Sequence, residues 1–323
     1  MWHFQMVCRS CWQSHGKRKV RDKTMLIAEK LKQRDQLSEA ELSIADYILK
    51  LGVDLEHYST RNLAEETYTS PATVIRLCKK LGFSGFEEFK RELLKEFQYL
   101  DHPEEDVDRN FPFSKDDTMM RAANSISQLY EDTIRDTMEL LSYPVLQKAV
   151  RLLKKSRNIF IFSAGTAINQ AESFREKMLK IGKRVSISNN LNYQLYEAGC
   201  MTPEDVAVII SYSGETEKML QVAAECRKLG APLIAVTSLG ENSLSRLAAC
   251  TLTVSSKESL FHNIGDFSTH VSVQLILDIL YSSYFWLDYE RNYERKLKKT
   301  RQLEKRRRSS NAMIMQPEIG DKA

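Results

Sequence analysis

The sequence has no run of apolar residues long enough to cross a membrane. Its most apolar stretch, Val271 to Leu287, includes Gln274 and Asp278 and is too short and too polar to span a bilayer, so it predicts a buried core helix. The N-terminus also lacks the continuous apolar segment of a secretory signal peptide. We therefore expect a protein that has no membrane partner.

Cysteine is sparse as well. Six cysteines are scattered over positions 8, 11, 78, 200, 226 and 250, which does not fit a disulfide framework and favours a reducing cytoplasm. Cys8 and Cys11 could be combined with His3 and His15 as a zinc site, because Cys-x-x-Cys is a common half-site. That spacing is cramped, and no apolar core surrounds it. We expect residues 1–24 to be a disordered extension, and the protein to need no metal or other cofactor.

The net charge of +4 is small but unevenly distributed over the 323 residues. Residues 1–36 carry nine Lys/Arg against three Asp/Glu, and residues 291–308 carry ten against two. Residues 101–117 hold seven Asp/Glu and two prolines without a helical apolar period, which is typical of an exposed linker. The sequence therefore predicts a helical domain at 25–100, an acidic linker at 101–117, a second domain at 118–290 and a basic tail at 291–323.

The N-terminal block contains clear helix boundaries. Ser38 and Glu41 form a capping box for a first helix, and a short helix follows near residues 60–67. After a turn at residues 68–70, a third helix begins with Ser70 as its N-cap and ends at Gly82. Two helices joined by so short a turn predict a helix-turn-helix, the arrangement that places its second helix in the major groove of DNA.

The third helix has one apolar face and one polar face. Its buried stripe is predicted to consist of Val74, Leu77, Cys78 and Leu81. On the other face, a threonine methyl can contact thymine, arginine can bind guanine or a phosphate, and lysines suit the phosphate backbone. The predicted DNA-binding residues are Ser70, Thr73, Arg76, Lys79 and Lys80.

Beyond the linker, apolar segments alternate with helical patterns. Such alternation favours a parallel sheet with helices on both faces. The predicted strands are 158–163, 184–188, 205–211, 232–237 and 251–254, and the predicted helices include 166–181, 216–229 and 268 onward. The expected fold is an all-α helix-turn-helix domain followed by a three-layer α/β domain with a parallel five-stranded sheet.

A hydroxyl-rich loop follows the third predicted strand. Residues 211–216 read Ser-Tyr-Ser-Gly-Glu-Thr, directly after the apolar run Val206–Ile210 and directly before a helix that begins at Glu217. Hydroxyl groups and free main-chain N–H groups at a helix N-terminus attract anions. The loop contains no Lys or Arg, so neutral donors would hold the anion, as suits the phosphate of a small metabolite.

Two motifs resemble known families. The Ser-x-Ser-Gly-x-Thr loop at 211–216 resembles the phosphosugar-binding signature of sugar isomerase (SIS) domains, and the stretch from Ser70 to Lys90 is very similar to the RpiR family of bacterial regulators. That family combines a helix-turn-helix with an SIS domain, and the resemblance covers about residues 37–290. It implies a homodimer or higher oligomer that binds a palindromic double-stranded DNA operator and a sugar-phosphate effector. The family usually has glycine in the turn position of Tyr68.

The first loop of the second domain departs from the SIS pattern. SIS domains usually show Gly-x-Gly-x-Ser after the first strand, whereas here Ser163 replaces the first glycine and Ala167 the hydroxyl residue, while Gly165 and Thr166 remain. The resemblance implies the following phosphosugar-binding residues: Ser163, Gly165, Thr166, Ser211, Ser213, Gly214, Thr216 and Glu258.

Catalysis is the main alternative, because SIS domains also occur in phosphosugar isomerases, epimerases and etherases. Such a reaction needs a base beside the sugar carbon, and the candidates are Glu258, His262 and Glu197. A third alternative is an inhibitor module that regulates a partner enzyme. Fusion to a DNA-binding block favours a cytoplasmic, non-enzymatic regulator, in which ligand binding shifts a conformational equilibrium.

Overall fold

The structure is a computed structural model that describes residues 26–34, 37–100 and 107–304. The described residues fall into two compact units, one on each side of residues 101–106. The expectations for residues 1–24, including the zinc alternative at His3, Cys8, Cys11 and His15, lie outside the described residues. None of the described helices is both long enough and apolar enough to cross a membrane.

The N-terminal unit is entirely helical in its described part. Its helices are α1 (Ile27–Lys32), α2 (Glu39–Leu51), a 3₁₀ helix (Gly52–His57), α3 (Thr60–Glu66), α4 (Pro71–Lys80) and α5 (Phe86–Leu100). Ser38 and Glu41 form the predicted capping box, and Ser70 caps α4 by accepting a hydrogen bond from the Thr73 amide. The predicted stripe packs into one core, where Val74, Leu77 and Cys78 are buried.

The C-terminal unit alternates strands and helices. Its strands are β1 (Ile159–Ser163), β2 (Val185–Ile187), β3 (Val206–Ile210), β4 (Leu233–Ser238) and β5 (Cys250–Val254). Its helices are α6 (Met119–Leu140), α7 (Tyr143–Lys155), α8 (Ala167–Lys180), α9 (Leu191–Gly199), α10 (Glu217–Lys228), α11 (Ser243–Leu247), α12 (Phe267–Trp286) and α13 (Tyr289–Leu303).

The five strands form one parallel sheet in the order β2-β1-β3-β4-β5. The two faces of β3 pack into different cores: Val206, Val208 and Ile210 join the side covered by α7, α8 and α12, while Ala207 and Ile209 join the side covered by α9, α10 and α11. Because side chains alternate along a strand, a buried run such as Val206–Ile210 requires helices on both faces. The predicted three-layer α/β fold with a parallel five-stranded sheet is confirmed.

The long helix α6 precedes the sheet and packs on α12. Two hydroxyl pairs join these helices, with 3.1 Å between the Thr133 and Ser268 oxygens and 2.7 Å between those of Thr137 and Ser272. A neighbouring face of α6 carries a partly exposed apolar stripe with four-residue spacing, which consists of Tyr130, Ile134 and Met138.

Candidate functional site

The exposed face of α4 carries most of the residues that the sequence nominated for DNA binding. Arg76, Lys79 and Lys80 are exposed, whereas the Ser70 and Thr73 hydroxyls lie 2.9 Å apart at the start of the helix. Ile75 also lies on this face and is 38% exposed, an apolar position that the sequence analysis did not nominate. The helix therefore presents hydroxyls at its N-terminus, and a methyl surface and cations farther along.

Glu41 of α2 holds two of these cations. One carboxylate oxygen lies 3.4 Å from Arg76 Nε, and the other lies 2.8 Å from Lys80 Nζ, while the Glu41 side chain is only 4% exposed. The same carboxylate also accepts a hydrogen bond from the Ser38 amide. Arg76 and Lys80 are thus oriented by α2, whereas Lys79 has no ion-pair partner among the described residues.

The Glu41 carboxylate is held in its charged form. Burial alone would raise its pKa, but hydrogen bonds from Lys80 and Ser38 and the positive charge of Lys80 outweigh burial and lower the pKa to about 2. The sequence identified Glu41 only as a capping residue. Its contacts with α4 span 35 and 39 positions, so no local sequence pattern could reveal them.

The turn before α4 contains a strained residue. Tyr68 has φ 53° and is the one non-glycine residue with positive φ among the described residues. Its amide donates to the Glu65 carbonyl, and the Thr69 amide donates to the Ala64 carbonyl. Its side chain is 99% exposed, so no packing offsets the left-handed backbone, which costs about 1–2 kcal/mol in a residue with a Cβ atom.

In the C-terminal unit, a cavity of about 350 Å³ opens where the strands end. This is the edge of a parallel α/β sheet at which ligands commonly bind. Its lining comes from the loops after β1 and β3, from the carboxyl ends of β4 and β5, and from the start of α12, and it includes no Lys or Arg. Six of the eight predicted phosphosugar-binding residues line the cavity: Gly165, Thr166, Ser211, Ser213, Thr216 and Glu258. Thr269, which was not predicted, adds a further hydroxyl group.

The loop after β3 brings its hydroxyls together. The Ser211 and Thr216 oxygens lie 3.0 Å apart, and the Ser213 oxygen accepts a hydrogen bond of 3.2 Å from the Glu215 amide. Gly214 is buried with φ 65°, and a Cβ atom there would collide with the Asn242 side chain. Gly214 therefore lets the loop close against Asn242, and it shapes the cavity without lining it.

The loop after β1 contributes less than its sequence suggested. Gly165 and Thr166 line the cavity, but Ser163 does not. Ser163 is the last residue of β1 and is buried, and its hydroxyl donates to the Ile210 carbonyl of β3. Its amide donates to the buried side chain of Gln194. The structure therefore corrects the expectation for Ser163, because its hydroxyl is used inside the sheet.

Glu258 lines the cavity, but its carboxylate already has partners. One oxygen accepts from the Ser268 amide, and the other accepts from the amide and hydroxyl of Thr269, in the first turn of α12. The Glu258 carbonyl also accepts the Tyr212 hydroxyl at 2.6 Å. This arrangement fits a residue that fixes the cavity wall against α12, and it leaves the carboxylate poorly placed to act as a base.

An aspartate and a histidine outside the predicted set of site residues also line the cavity. They are Asp266 and His270, and the His270 Nε2 atom lies 2.6 Å from the Thr166 oxygen. Both belong to the start of α12, where polar residues precede an apolar helix, a signal that could have found them. His262 and Glu197 are not among the lining residues: the His262 ring contacts Phe111, and Glu197 contacts Ser186.

Residues that precede α6 contact the loop that forms part of the cavity wall. The Asn110 side chain accepts a hydrogen bond from the Ser259 amide, and the Asn110 carbonyl accepts one from the Ile264 amide. Arg109 pairs with the buried Asp136 and donates to Ser255 at 3.3 Å. These contacts hold the loop between β5 and α12 in place.

The helix-turn-helix and the hydroxyl-lined cavity at the sheet edge together define a two-domain transcription regulator. Residues 25–99 match the model of the helix-turn-helix domain of the rpiR family, and residues 152–278 match the SIS domain model. The chain therefore carries a helix-turn-helix domain that matches the rpiR family model, followed by a domain that matches the SIS model. It is an HTH-type transcriptional regulator with an SIS domain.

The chain is also similar to a curated protein and to solved structures, including the following three. A curated Haemophilus influenzae protein named "Uncharacterized HTH-type transcriptional regulator" is 28% identical over 247 residues, which cover 76% of this chain and 85% of that protein. The solved structure of Vibrio vulnificus NanR complexed with ManNAc-6P is 21% identical, with a TM-score of 0.55, and the match covers 87% of this chain and 99% of that one. The sugar isomerase domain of an RpiR transcription factor from Sphaerobacter thermophilus is 14% identical, with a TM-score of 0.49, over 56% of this chain and 98% of that one.

Proposed function

We propose that the cavity binds a phosphorylated sugar and that this binding changes the affinity of the regulator for its DNA operator. The observation that carries the proposal is the set of neutral donors around one cavity at the ends of β1 and β3. Hydroxyls of Thr166, Ser211, Ser213 and Thr216 surround a space large enough for a small metabolite and free of cationic Lys and Arg. Loop amides at a helix N-terminus add donors that favour a phosphate.

The cavity walls suit the rest of a sugar phosphate. Asp266 and His270 offer an acceptor and a titratable ring to sugar hydroxyls, beside the hydroxyls that would hold the phosphate. The nominated contacts are Gly165, Thr166, Ser211, Ser213 and Thr216, with Gly214 and Glu258 shaping the wall. Ser163 is not included, because its hydroxyl lies within the sheet.

On the DNA side, the proposal assigns α4 to the major groove. Arg76 reads a base or a phosphate, Lys79 and Lys80 contact the backbone, and Ser70 and Thr73 lie at the groove-facing end. Two copies of the chain in a homodimer would place two such helices on the half-sites of a palindromic operator. The exposed stripe of α6, which consists of Tyr130, Ile134 and Met138, is the proposed dimer contact. Sedimentation as a monomer at micromolar concentration would contradict this.

The sensing step is tested on the full-length chain by thermal denaturation with a panel of sugar phosphates that includes ManNAc-6P. A ligand that binds the folded state raises the melting temperature by mass action. Inorganic phosphate and the unphosphorylated sugars serve as controls. The effective ligand is then added to a duplex-binding assay, in which the DNA is first selected from a random library. If no sugar phosphate raises the melting temperature, or if one does so without changing DNA affinity, sensing is excluded for that panel.

The enzymatic alternative is tested with the same ligands. Of the three bases suggested by the sequence, Glu258 is engaged by α12, and His262 and Glu197 do not line the cavity. Asp266 and His270 do line it, so conversion of each sugar phosphate by the full-length chain is followed by NMR. Turnover that is lost in His270→Ala or Asp266→Asn would favour an enzyme, whereas binding without turnover supports a sensor.

A further inference from the structure

Four helices of the described chain end in the same main-chain hydrogen-bond pattern. In each, the amide of the left-handed residue donates to the carbonyl three residues earlier, and the next amide donates to the carbonyl five residues before it. Three of these turns place glycine in the left-handed position, namely Gly82, Gly182 and Gly230, with φ between 76° and 101°. The fourth, between α3 and α4, places Tyr68 there.

Glycine is the residue that such a turn favours, since it has no Cβ atom to crowd the backbone. The other three turns of this pattern in the described residues have glycine in the left-handed position. A tyrosine in the fourth is destabilising, and its ring is 99% exposed and has no packing to compensate. Strain retained without local compensation points to a function for the side chain.

The position of Tyr68 indicates what it contacts. It lies two residues before Ser70, the N-cap of α4, and its exposed side chain is therefore close in the chain to the N-terminal end of the helix proposed to enter the major groove. The sugar-phosphate backbones of DNA border the major groove, and a tyrosine hydroxyl is one of the neutral donors that bind phosphate oxygens. The exposed residues Ile75, Arg76, Lys79 and Lys80 of α4 are aliphatic or cationic, so Tyr68 adds an aromatic hydroxyl next to this helix.

We infer that the Tyr68 hydroxyl donates a hydrogen bond to a DNA phosphate at the edge of the major groove. This contact fixes the position of α4 along the groove. The inference rests on the proposed use of α4 as the recognition helix. A phosphate contact is independent of sequence, so Tyr68 sets affinity and orientation, and Arg76 sets specificity. Because the phenol is neutral, its contact releases no counterion and adds nothing to the salt dependence of binding.

Two variants separate the contributions of the Tyr68 ring, its hydroxyl group and its backbone conformation to DNA affinity and stability. Tyr68→Gly removes the strain and the contact, so we expect a melting temperature several degrees higher and DNA affinity about tenfold lower or more. Tyr68→Phe keeps the strain and removes only the hydroxyl, so we expect an unchanged melting temperature with a similar loss of affinity. For both, the slope of log affinity against log salt should equal that of the wild type. Tyr196→Phe, at an exposed tyrosine of the other unit, is the matched control and should change neither quantity.

The outcomes distinguish this inference from the proposed function. If the wild-type chain selects no duplex from a random library, the proposed function itself fails. If the wild type binds and Arg76→Ala loses selectivity while both Tyr68 variants bind normally, only the inference about Tyr68 is overturned. Normal binding by Tyr68→Phe with weak binding by Tyr68→Gly would show that the ring, not the hydroxyl, makes the contact, and would overturn the phosphate assignment. A change in sedimentation in either variant would place Tyr68 in a protein interface and would also overturn it.

Discussion

The exposed face of α4 and the cavity of the α/β unit are both suited to phosphate, but with opposite means. On α4, Arg76 and Lys80 carry positive charge, and Glu41 orients them. In the cavity, the lining has hydroxyls and no Lys or Arg. Positively charged side chains bind strongly to a polyanion with closely spaced phosphates, because each phosphate that they neutralise releases counterions. One phosphate on a small metabolite is bound by directional neutral donors, which fix its orientation as well as its charge.

If α4 binds DNA and the cavity binds a sugar phosphate, as we propose, this difference predicts different responses to salt at the two sites. DNA binding through α4 should weaken steeply as salt rises, whereas ligand binding in the cavity should respond only weakly. Single substitutions at either site can break this contrast.

The largest effect is expected for Gly214→Ala. A Cβ atom at this position collides with Asn242, and the positive φ strains any other residue, so the loop after β3 must move. We expect sugar-phosphate binding to be lost and the melting temperature of the α/β unit to fall. Gly199→Ala is the control, since its Cβ atom would meet nothing within 4 Å and its φ is not positive. Normal ligand affinity in Gly214→Ala, measured by calorimetry, would mean that this loop does not hold the ligand.

The next effect is expected for Ser213→Ala. Loss of one hydrogen bond to a charged group costs about 1.5–3 kcal/mol, which is a tenfold to hundredfold weaker ligand affinity. DNA affinity without ligand should be unchanged, and Ser211→Ala combined with Ser213→Ala should leave the protein in its ligand-free behaviour. Ser282→Ala, at an exposed serine on α12, serves as the control in the same calorimetric titration. Equal affinities in all variants would place the phosphate elsewhere.

On the DNA side, Arg76→Ala should remove sequence selectivity at a cost of about 1–3 kcal/mol if the guanidinium reads a base. Lys79→Ala should instead weaken binding to all sequences and reduce the salt slope by about one. Arg91→Ala provides a control, because Arg91 is similarly exposed and pairs with Glu92 on α5. Competition between selected and random duplexes at moderate salt measures both effects, and full selectivity in Arg76→Ala would exclude α4 as the reading element.

The smallest effect is expected at the ion pairs of Glu41. Because folding lowers the pKa of Glu41 to about 2, its contribution to stability is present above pH 4.5 and is lost as the pH falls toward 2. Glu41→Gln keeps a capping side chain but loses the ion pairs, at a cost of about 1 kcal/mol with partners this exposed. In urea unfolding, the free energy of unfolding of Glu41→Gln should be lower than that of the wild type at pH 7, and the difference should be smaller at pH 3. Glu39→Gln, in the same helical turn, is the control. A difference in the free energy of unfolding that does not depend on pH would contradict the assignment.

Local patterns predicted the elements of both units. The stripe of Val74, Leu77 and Cys78 and the cap at Ser70 were readable because helix periodicity and capping act within a few residues. The strands could be predicted because buried apolar runs are bounded by polar turns. Contacts between distant elements could not be predicted from local sequence. Glu41 contacts α4 across more than thirty positions, and His270 lines the cavity because α12 packs next to the loop after β1.

Ser163 shows a second reason why a local sequence pattern can fail to predict a ligand-binding residue. Its place after an apolar run and before a glycine loop suggested a ligand contact, and the loop after β3 with the same pattern does provide one in our proposal. The strand register decided otherwise, because Ser163 pairs with Ile210 and its hydroxyl faces the neighbouring strand. One position of difference along a strand reverses the direction of a side chain, and composition does not reveal that register.

The support that Asn110 and Arg109 give to the loop before α12 has a practical consequence for dissecting the protein. A fragment that starts at residue 118, where the sequence placed the domain boundary, would omit both residues and leave the Ser259 and Ile264 amides without these acceptors. It would also free Asp136 from Arg109. Likewise, a stop at residue 290 would remove most of α13, whose Lys299 donates to the Leu179 carbonyl of α8. A fragment of the α/β unit that keeps these contacts should therefore include at least residues 109 to 299.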